Sequence, residues 1–483
     1  MYDKSLFIFR RDLRLFDNSA LNYALKNSNK VILCFIFDEQ QIKNNEYLSK
    51  FSLSFLIESL IEMNENLKKF NSKIYFCYGK PDKIISKIID ELLIDAVFLN
   101  KDYTPFSINR DEIIKNLCDK KKVSFNSYFD ICLNEIEFIK TNNNDNYKVF
   151  THFYNKAKTF IVKKPNYDIF LNFKFEDIFN CEKSNKFIKN ISNKFYSNKL
   201  SIEDEKILEK LKEKFNLDNK LHSNSKIFSG RKKAISLLNN LENLIDYEKT
   251  RNFPILEKTS HLSAHLKYGT VSIREVYHTI AKFLNLNHPL IRQLYFRDFF
   301  ISIAYNYPHI FGNSFYQKYD KIKWENNINK FNAWKNAKTG FPIIDAGMNE
   351  LNKTGFMHNR LRMITASFLV KDLHVDWRYG EKYFAQKLID YDPCVNNGNW
   401  QWASSTGCDP APYFRIFNPW LQQKKFDKDC LYIKKWIPQL KDISSKQIHD
   451  LFKTKEKIKN YPLPLVDHKI ESDKAKSYFK IVN

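Results

Sequence analysis

Residues 340–420 read GFPIIDAGMNELNKTGFMHNRLRMITASFLVKDLHVDWRYGEKYFAQKLIDYDPCVNNGNWQWASSTGCDPAPYFRIFNPW. All seven tryptophans of the chain, Trp324, Trp334, Trp377, Trp400, Trp402, Trp420 and Trp436, fall in or beside this stretch, and the first 323 residues hold none. Core filling alone does not concentrate so large and rigid an aromatic in less than a quarter of a chain. Among the indoles stand His358, Asn359, Arg360, Arg362, Asp390, Asp392, Asn396 and Asn397. Buried polar groups need partners, so this mixture predicts a lined pocket for a flat ligand that is stacked and hydrogen-bonded at once. Asn359 and Met363 are four apart and share a helix face, which leaves Arg362 to reach a carboxylate such as Asp390. A solvated helix face accounts for that pair equally well.

Outward from this stretch, residues 1–135 alternate apolar runs with helical spacing. Strands are predicted at Ser5–Phe9, Lys30–Phe37, Lys73–Tyr78, Asp95–Asn100 and Val123–Tyr128, and helices at Tyr47–Phe70, Pro81–Leu92 and Ser107–Lys121. Near-continuous apolar strands between helices predict an α/β domain, a doubly wound parallel sheet covered on both faces. No GxGxxG follows the first strand, so the dinucleotide fingerprint is absent there. Residues 136–200 are rich in Asn, Lys and Phe and read as an inter-domain connector. From 201 to 483 the pattern is helical, at Ile202–Phe215, Ser229–Asn239 and Ser272–Leu284 among others, and predicts a larger all-α domain.

Of the 483 residues, 43% are hydrophobic, enough for two sizeable cores. The net charge of +23 favours a polyanionic partner, nucleic acid or membrane surface, although a Lys- and Asn-rich composition also follows from nucleotide bias in a gene. No apolar run approaches the roughly 20 residues that cross a bilayer, and Leu6–Phe9 is too short for a secretory signal. The eight cysteines (Cys34, Cys77, Cys118, Cys132, Cys181, Cys394, Cys408 and Cys430) form no CxxC pair, which fits reduced thiols in a cytoplasmic protein.

Thr259-Ser260-His261-Leu262-Ser263 places hydroxyls at the start of a helical segment. On residues alone this is first an ordinary helix cap, and second a seat for a pyrophosphate. His261 and His265 lie one turn apart without a third ligand, so no metal site is expected.

The runs TGFMHNRLRM, DWRYGEKYF and NNGNWQWASSTGCDPAPYFRIFNP resemble the DNA photolyase/cryptochrome family, specifically its class I cyclobutane pyrimidine dimer photolyases. FRRDLRLFDN near the N-terminus, YEKTRNFP and TSHLSAHLKYGTVS extend the resemblance over nearly the whole chain. It implies FAD as cofactor, held by Tyr247, Thr259, Ser260, His261, Leu262, Ser263, Arg297, Asn359, Arg362, Asp390, Tyr391 and Asp392. Asn396 matches the position facing the reactive edge of the flavin, where plant cryptochromes place an acid; locally it is as readily a capping asparagine. Trp400, Trp377 and Trp324 match an electron relay to the surface, although packing alone would also explain buried indoles. The implied partner is UV-damaged DNA, with Arg251, Gln293, Phe296, Asn359, Arg360, Met363 and Trp402 as its contacts. No protein partner is implied, and a monomer is expected.

The implied activity is light-driven repair of cyclobutane pyrimidine dimers; the alternative is a cryptochrome-like blue-light receptor without repair activity. The chain departs from the family pattern at Phe296, where a substrate-stacking Trp is usual, at Gln293, where bacterial members carry Glu, and at Phe356 in place of a frequent Trp. An antenna of 5,10-methenyltetrahydrofolate is expected near Asn100–Ser107, although Phe106 and Ser107 replace the Asn-Glu pair of folate-binding relatives.

Overall fold

The computed structural model describes residues 1–43, 45–166, 200–217, 228–409, 415–454 and 457–482. Much of the expected connector (167–199), Cys181 and the PAPYF of the tryptophan-rich stretch (410–414) lie outside the described residues.

Five parallel strands, β1 (Tyr2–Phe9), β2 (Ser28–Asp38), β3 (Tyr75–Gly79), β4 (Ala96–Asn100) and β5 (Ser124–Tyr128), lie in the order β3-β2-β1-β4-β5. Phe7 pairs with Leu33 on one side and Phe98 on the other. This is a doubly wound sheet, and its strand order reverses at β1, between β2 and β4. Its central strands are apolar on both faces because both faces are covered. Phe7, Phe9, Leu33 and Phe35 pack on α1 (Ser19–Asn27) and α2 (Lys50–Lys68), while Leu6, Ile8, Ile32 and Cys34 pack on α3 (Pro81–Leu92) and α4 (Pro105–Lys121). Edge strand β5, SFNSY, is only half-buried, consistent with its polar sequence. All five predicted strands are present to within three residues at either end. The helix predicted from Tyr47 starts at Lys50, because Ser49 accepts from Ser52 N and caps it there. Helix α1, whose short SALNYALKN carries a weak pattern, was not predicted.

Within the stretch predicted to be connector, α5 (Phe150–Ala157) is a packed helix. Phe150 and Phe153 are buried against Phe299, so the phenylalanines that interrupt its periodicity are core residues. The remaining elements needed below are helical: α6 (Ser263–Tyr268), α7 (Pro289–Asn306), α8 (Pro342–Thr354), α9 (Asn359–Lys371), α10 (Trp377–Lys387), α11 (Pro393–Ser404), α12 (Pro419–Phe426) and α13 (His468–Val482).

The loop after β1 joins the two layers. Leu13 N donates to Tyr268 O at 2.9 Å. Gly269, at φ +63°, lies so close to the loop that a Cβ would sit 2.4 Å from Arg11 O. A buried ion network of Arg14, Asp130, Asp17 and Arg274 closes the same junction, with Arg274 Nη2 2.8 Å from Asp130 Oδ1. Within the helical layer, Gly380 and Gly398 let helices approach closely: a Cβ on Gly380 would meet the Trp400 ring at 2.2 Å, and one on Gly398 the Phe300 ring at 2.2 Å. Helix α11 is thereby wedged between α7 and α10.

Candidate functional site

A cavity of about 320 Å³ opens among α6, α7, α9 and α11, within the range of small-molecule and cofactor sites. Tyr247, Thr259, Ser260, His261, Leu262, Ser263, Arg297, Asn359, Arg362, Asp390, Tyr391 and Asp392 all line it, as do Asn396, Trp400, Gln293, Met363 and Trp402. Trp377, Trp324, Arg251, Phe296 and Arg360 do not.

The turn at Thr259–Leu262 leads into α6, which Ser263 begins, with His261 in the left-handed region at φ +52°. Leu262 occupies the cap position and no side chain caps the helix, so the ordinary-cap reading of these hydroxyls is not the arrangement found. At the cavity wall Ser260 Oγ accepts from Leu262 N at 3.5 Å and Thr259 Oγ1 lies 3.5 Å from His261 Nε2.

Helix α9 is capped by His358, whose ring accepts from Arg360 N. From it Arg362 forks Asp390, Nη1 to Oδ1 at 3.1 Å and Nη2 to Oδ2 at 2.9 Å, and Nε donates to Met357 O at 2.8 Å. Asp390 is 9% exposed, so this is a nearly buried bidentate pair and not a solvated face. On the same helix Asn359 Nδ2 lies 3.8 Å from Met363 Sδ.

Asp392 caps α11: Oδ1 accepts from Cys394 N at 3.0 Å and from Val395 N at 3.3 Å, while Oδ2 is ion-paired to Arg11. Burial alone would raise this carboxyl, but Arg11, with Lys267 and Arg297 nearby, holds it well below the usual carboxylate range. One turn on, Asn396 Nδ2 donates to Glu381 O at 3.1 Å and Glu381 Oε1 at 3.2 Å. The Asn396 nitrogen is thus committed, and its amide oxygen takes no donor among the described residues. Burial pushes the Glu381 carboxyl up to about 7.

Trp400 is 2% exposed, edge-on to Phe384 at 4.9 Å and to Trp334 at 6.3 Å. Trp377 starts α10, is 1% exposed, and its ring N–H has no hydrogen-bond partner among the described residues. Trp324 is partly exposed and packs edge-on against Phe479 of α13 at 6.1 Å.

Phe296 stacks on Phe150 of α5, with centroids 3.4 Å apart and planes 9° apart, and so faces the packed helix instead of the cavity. Outside the cavity wall, Arg360 donates to Asn252 Oδ1 at 2.7 Å and lies 4.4 Å over the Phe426 ring. Its pKa is lowered by burial and by the charges of Arg251 and Arg415. Three arginines thus gather with no acidic partner among the described residues.

Sequence reasoning missed Arg11, Lys267, Glu381 and Arg415. Their roles arise from distant approaches, Arg11 to Asp392 across 381 residues being the extreme case. A second cavity, of about 260 Å³, lies at the C-terminal edge of the sheet beside Arg10, Asp38, Asp102 and Arg110, and shares Lys267 and Tyr391 with the first. No group of three His, Cys, Asp or Glu side chains among the described residues could hold a metal ion. None of the described helices is long and apolar enough to cross a membrane.

A doubly wound sheet docked on a helical body, with hydroxyls, a forked Arg–Asp pair and indoles around one cavity, defines a cofactor-binding protein of two layers. Residues 5–167 match the family profile described as DNA photolyase, and residues 290–481 match that of the FAD binding domain of DNA photolyase. The chain belongs to the DNA photolyase family. It is 35% identical to a deoxyribodipyrimidine photo-lyase of Buchnera aphidicola from Acyrthosiphon pisum over 99% of this chain and 97% of that one. Among solved structures, an archaeal photolyase from Sulfolobus tokodaii, described with two FAD molecules and a novel light-harvesting cofactor, superposes with a TM-score of 0.84 at 39% identity, covering 99% of this chain and all of the other. A Synechocystis cryptochrome superposes with a TM-score of 0.85 at 25% identity, covering 99% of each. Backbone shape therefore does not separate a photolyase from a cryptochrome; side chains must.

Proposed function

We propose that this protein is a deoxyribodipyrimidine photo-lyase, repairing cyclobutane pyrimidine dimers in DNA under light with FAD in the 320 Å³ cavity. The observation that carries this reading is the cavity wall itself. It joins the hydroxyl-bearing turn Thr259–Ser263, the Arg362–Asp390 fork, and a neutral Asn396 whose amide oxygen takes no donor among the described residues. Reduced FAD, when bound, supplies the light-excited electron donor for opening the cyclobutane ring.

The chain's own residues do the rest. Thr259 to Ser263 and Tyr247 seat the cofactor, Arg362 and Asp390 fix one wall, and Asn396 offers a hydrogen bond without adding a charge. Asn359, Met363, Gln293 and Trp402 receive the flipped dimer, whose weak pairing lowers the energy needed to extrude it. Arg251 and Arg360, joined by Arg415, hold phosphates outside the cavity, and the +23 charge draws DNA in. Trp400, Trp377 and Trp324 carry electrons inward when the flavin is oxidised. Phe296, stacked on Phe150, supports this face from behind. Residues 1–135 serve as the antenna-type domain, 136–200 as connector and 201–483 as the catalytic domain, in a cytoplasmic monomer.

The second cavity supports a light-harvesting ring as well. Ser107, expected near a folate, is buried and bonds Thr104 and Asp102, so it is not a free ligand. The ring, flavin or folate, belongs beside Arg10 and Asp38, and the chromophores released from denatured protein separate the two by fluorescence.

The test is anaerobic illumination of the purified, chemically reduced protein with a dimer-containing oligonucleotide. Thymines are expected to be restored in light and not in the dark. Retained flavin with no light-dependent repair would favour the receptor.

A further inference from the structure

Arg11 lies in the loop after β1, is 8% exposed, and holds two carboxylates at once. Nη2 donates to Asp392 Oδ2, and Nη1 donates to Asp102 Oδ1 at 3.2 Å. Asp102 follows β4 in the α/β layer, whereas Asp392 belongs to the flavin cavity wall. Asp392 therefore has one oxygen on Arg11 and the other on the first N–H groups of α11. That helix carries Asn396 and Trp400. Lys267 and Arg297 add positive charge nearby, but among the described residues neither makes an ion pair with Asp392 within 4.0 Å. A buried carboxylate without a direct partner is strongly destabilising, so Arg11 determines whether Asp392 stays charged and where it sits.

We propose that Arg11 is a positioning residue of the flavin site: from the α/β layer it fixes Asp392, and through the Asp392 cap it sets the start of α11 and the charge of the cavity wall. The inference rests on the reading that this cavity holds FAD. Arg11 itself lines the second cavity, not the first, so it acts through Asp392. Replacing it with a neutral side chain leaves Asp392 and Asp102 with one positive charge fewer. A more negative wall disfavours an added electron on the ring beside it.

The test compares the wild-type holoprotein with Arg11→Gln and Arg11→Lys, reading FAD dissociation from released fluorescence and the midpoint potential of the bound flavin by dye-coupled titration. Arg11→Gln is expected to weaken FAD retention about tenfold, the scale seen when an outer partner of a metal ligand is lost, and to move the potential more negative. Arg11→Lys restores the charge and returns the potential toward wild type. It leaves retention reduced, because an ammonium cannot fork two carboxylates as a guanidinium does. A folded Arg11→Gln with wild-type potential and retention overturns the proposal, as does a Lys variant whose potential matches that of Gln. Should Arg11→Gln not fold, Asp102→Asn removes a negative charge from the same cluster and is expected to move the potential the opposite way; an unchanged potential there overturns it too. A wild-type protein that holds no FAD refutes the functional reading instead, which keeps the two failures apart.

Discussion

The amide of Asn396 and the buried carboxyl of Glu381 form one unit: Asn396 Nδ2 donates to both the backbone and the side-chain oxygen of Glu381, at 3.1 and 3.2 Å. Burial raises the Glu381 carboxyl from an ordinary 4.5 to about 7, and the Asn396 bond opposes that shift. The folded state therefore binds the proton more tightly than the unfolded chain. Its stabilising effect is complete below about pH 4.5, declines as pH rises, and is lost above about 7. Glu381→Gln keeps the acceptor and abolishes the titration. Urea unfolding at pH 5 and pH 8.5 should show wild type losing on the order of 3 kcal/mol more than Glu381→Gln across that interval. The difference between the two proteins isolates Glu381, since Asp298, also raised to about 7, titrates in both. Parallel pH profiles would show that Glu381 does not titrate there.

Arg362 and Asp390 make a different kind of pair, both ends forked and one carboxylate nearly out of water. Arg362→Ala leaves Asp390 buried and unpaired, and should destabilise the fold by roughly 3 kcal/mol. Arg362→Lys keeps the charge but loses the fork and the bond to Met357 O, so an intermediate loss is expected. Denaturant midpoints check both; a Lys variant equal to wild type would mean that charge alone matters.

Much of this architecture is legible in the sequence, for reasons that differ between layers. The central strands are apolar on both faces and bounded by polar loops, so each announces itself locally. Pro81 marks the first turn of α3 because its missing N–H has no partner to lose there. That a polar, indole-rich pocket lies in 340–420 is legible from residue chemistry, but its full membership comes only from the resemblance. Thr259 to Ser263, Arg362, Asp390 and Asn396 come from separate segments, and nothing in local spacing says that they meet. Where sequence reasoning erred, tertiary packing decided. Phe296 occupies the position of a substrate-stacking ring, but Phe150 of α5 takes its face. Arg11 looks like one more basic residue of FRRDLRLFDN until α6 and α11 bring Asp392 to it.

Arg251 and Arg415 bear on Arg360 with like charge, and among the described residues none of the three makes an ion pair with an acidic side chain within 4.0 Å. A phosphate between them would satisfy all three. Arg251→Ala and Arg360→Ala should each weaken binding to damaged and undamaged duplex alike and reduce the slope of log affinity against log salt by about 1. Arg360→Ala should have the larger effect, since it also frees Asn252 and uncovers Phe426. Binding measured at several salt concentrations is the check, and a loss confined to damaged duplex would place these arginines at the lesion instead.

Trp400 lines the cavity, Trp377 is buried and Trp324 is partly exposed against Phe479, all three in one apolar cluster; we propose that they form the electron path between flavin and surface. Gly380, one turn into α10 from Trp377, lets that helix close onto Trp400. Photoreduction of an oxidised flavin draws an electron from outside, so each indole in the path is required. Repair starts from flavin already reduced and returns its electron in every cycle, so the path should be idle. Trp324→Phe keeps a ring against Phe479 but one much harder to oxidise, at a packing cost of about 1 kcal/mol or less. It should slow or abolish photoreduction with an external donor while chemically reduced protein repairs dimers at a near-normal rate. Gly380→Ala should act otherwise, because the added methyl meets the Trp400 ring and must displace it from the wall. Both photoreduction and flavin retention are then expected to fall, with stability reduced by roughly 1–3 kcal/mol. Flash photolysis, repair assays and denaturant midpoints on the two variants separate the roles. Loss of repair with intact photoreduction in Trp324→Phe would remove Trp324 from the relay and assign it to the fold beneath α13.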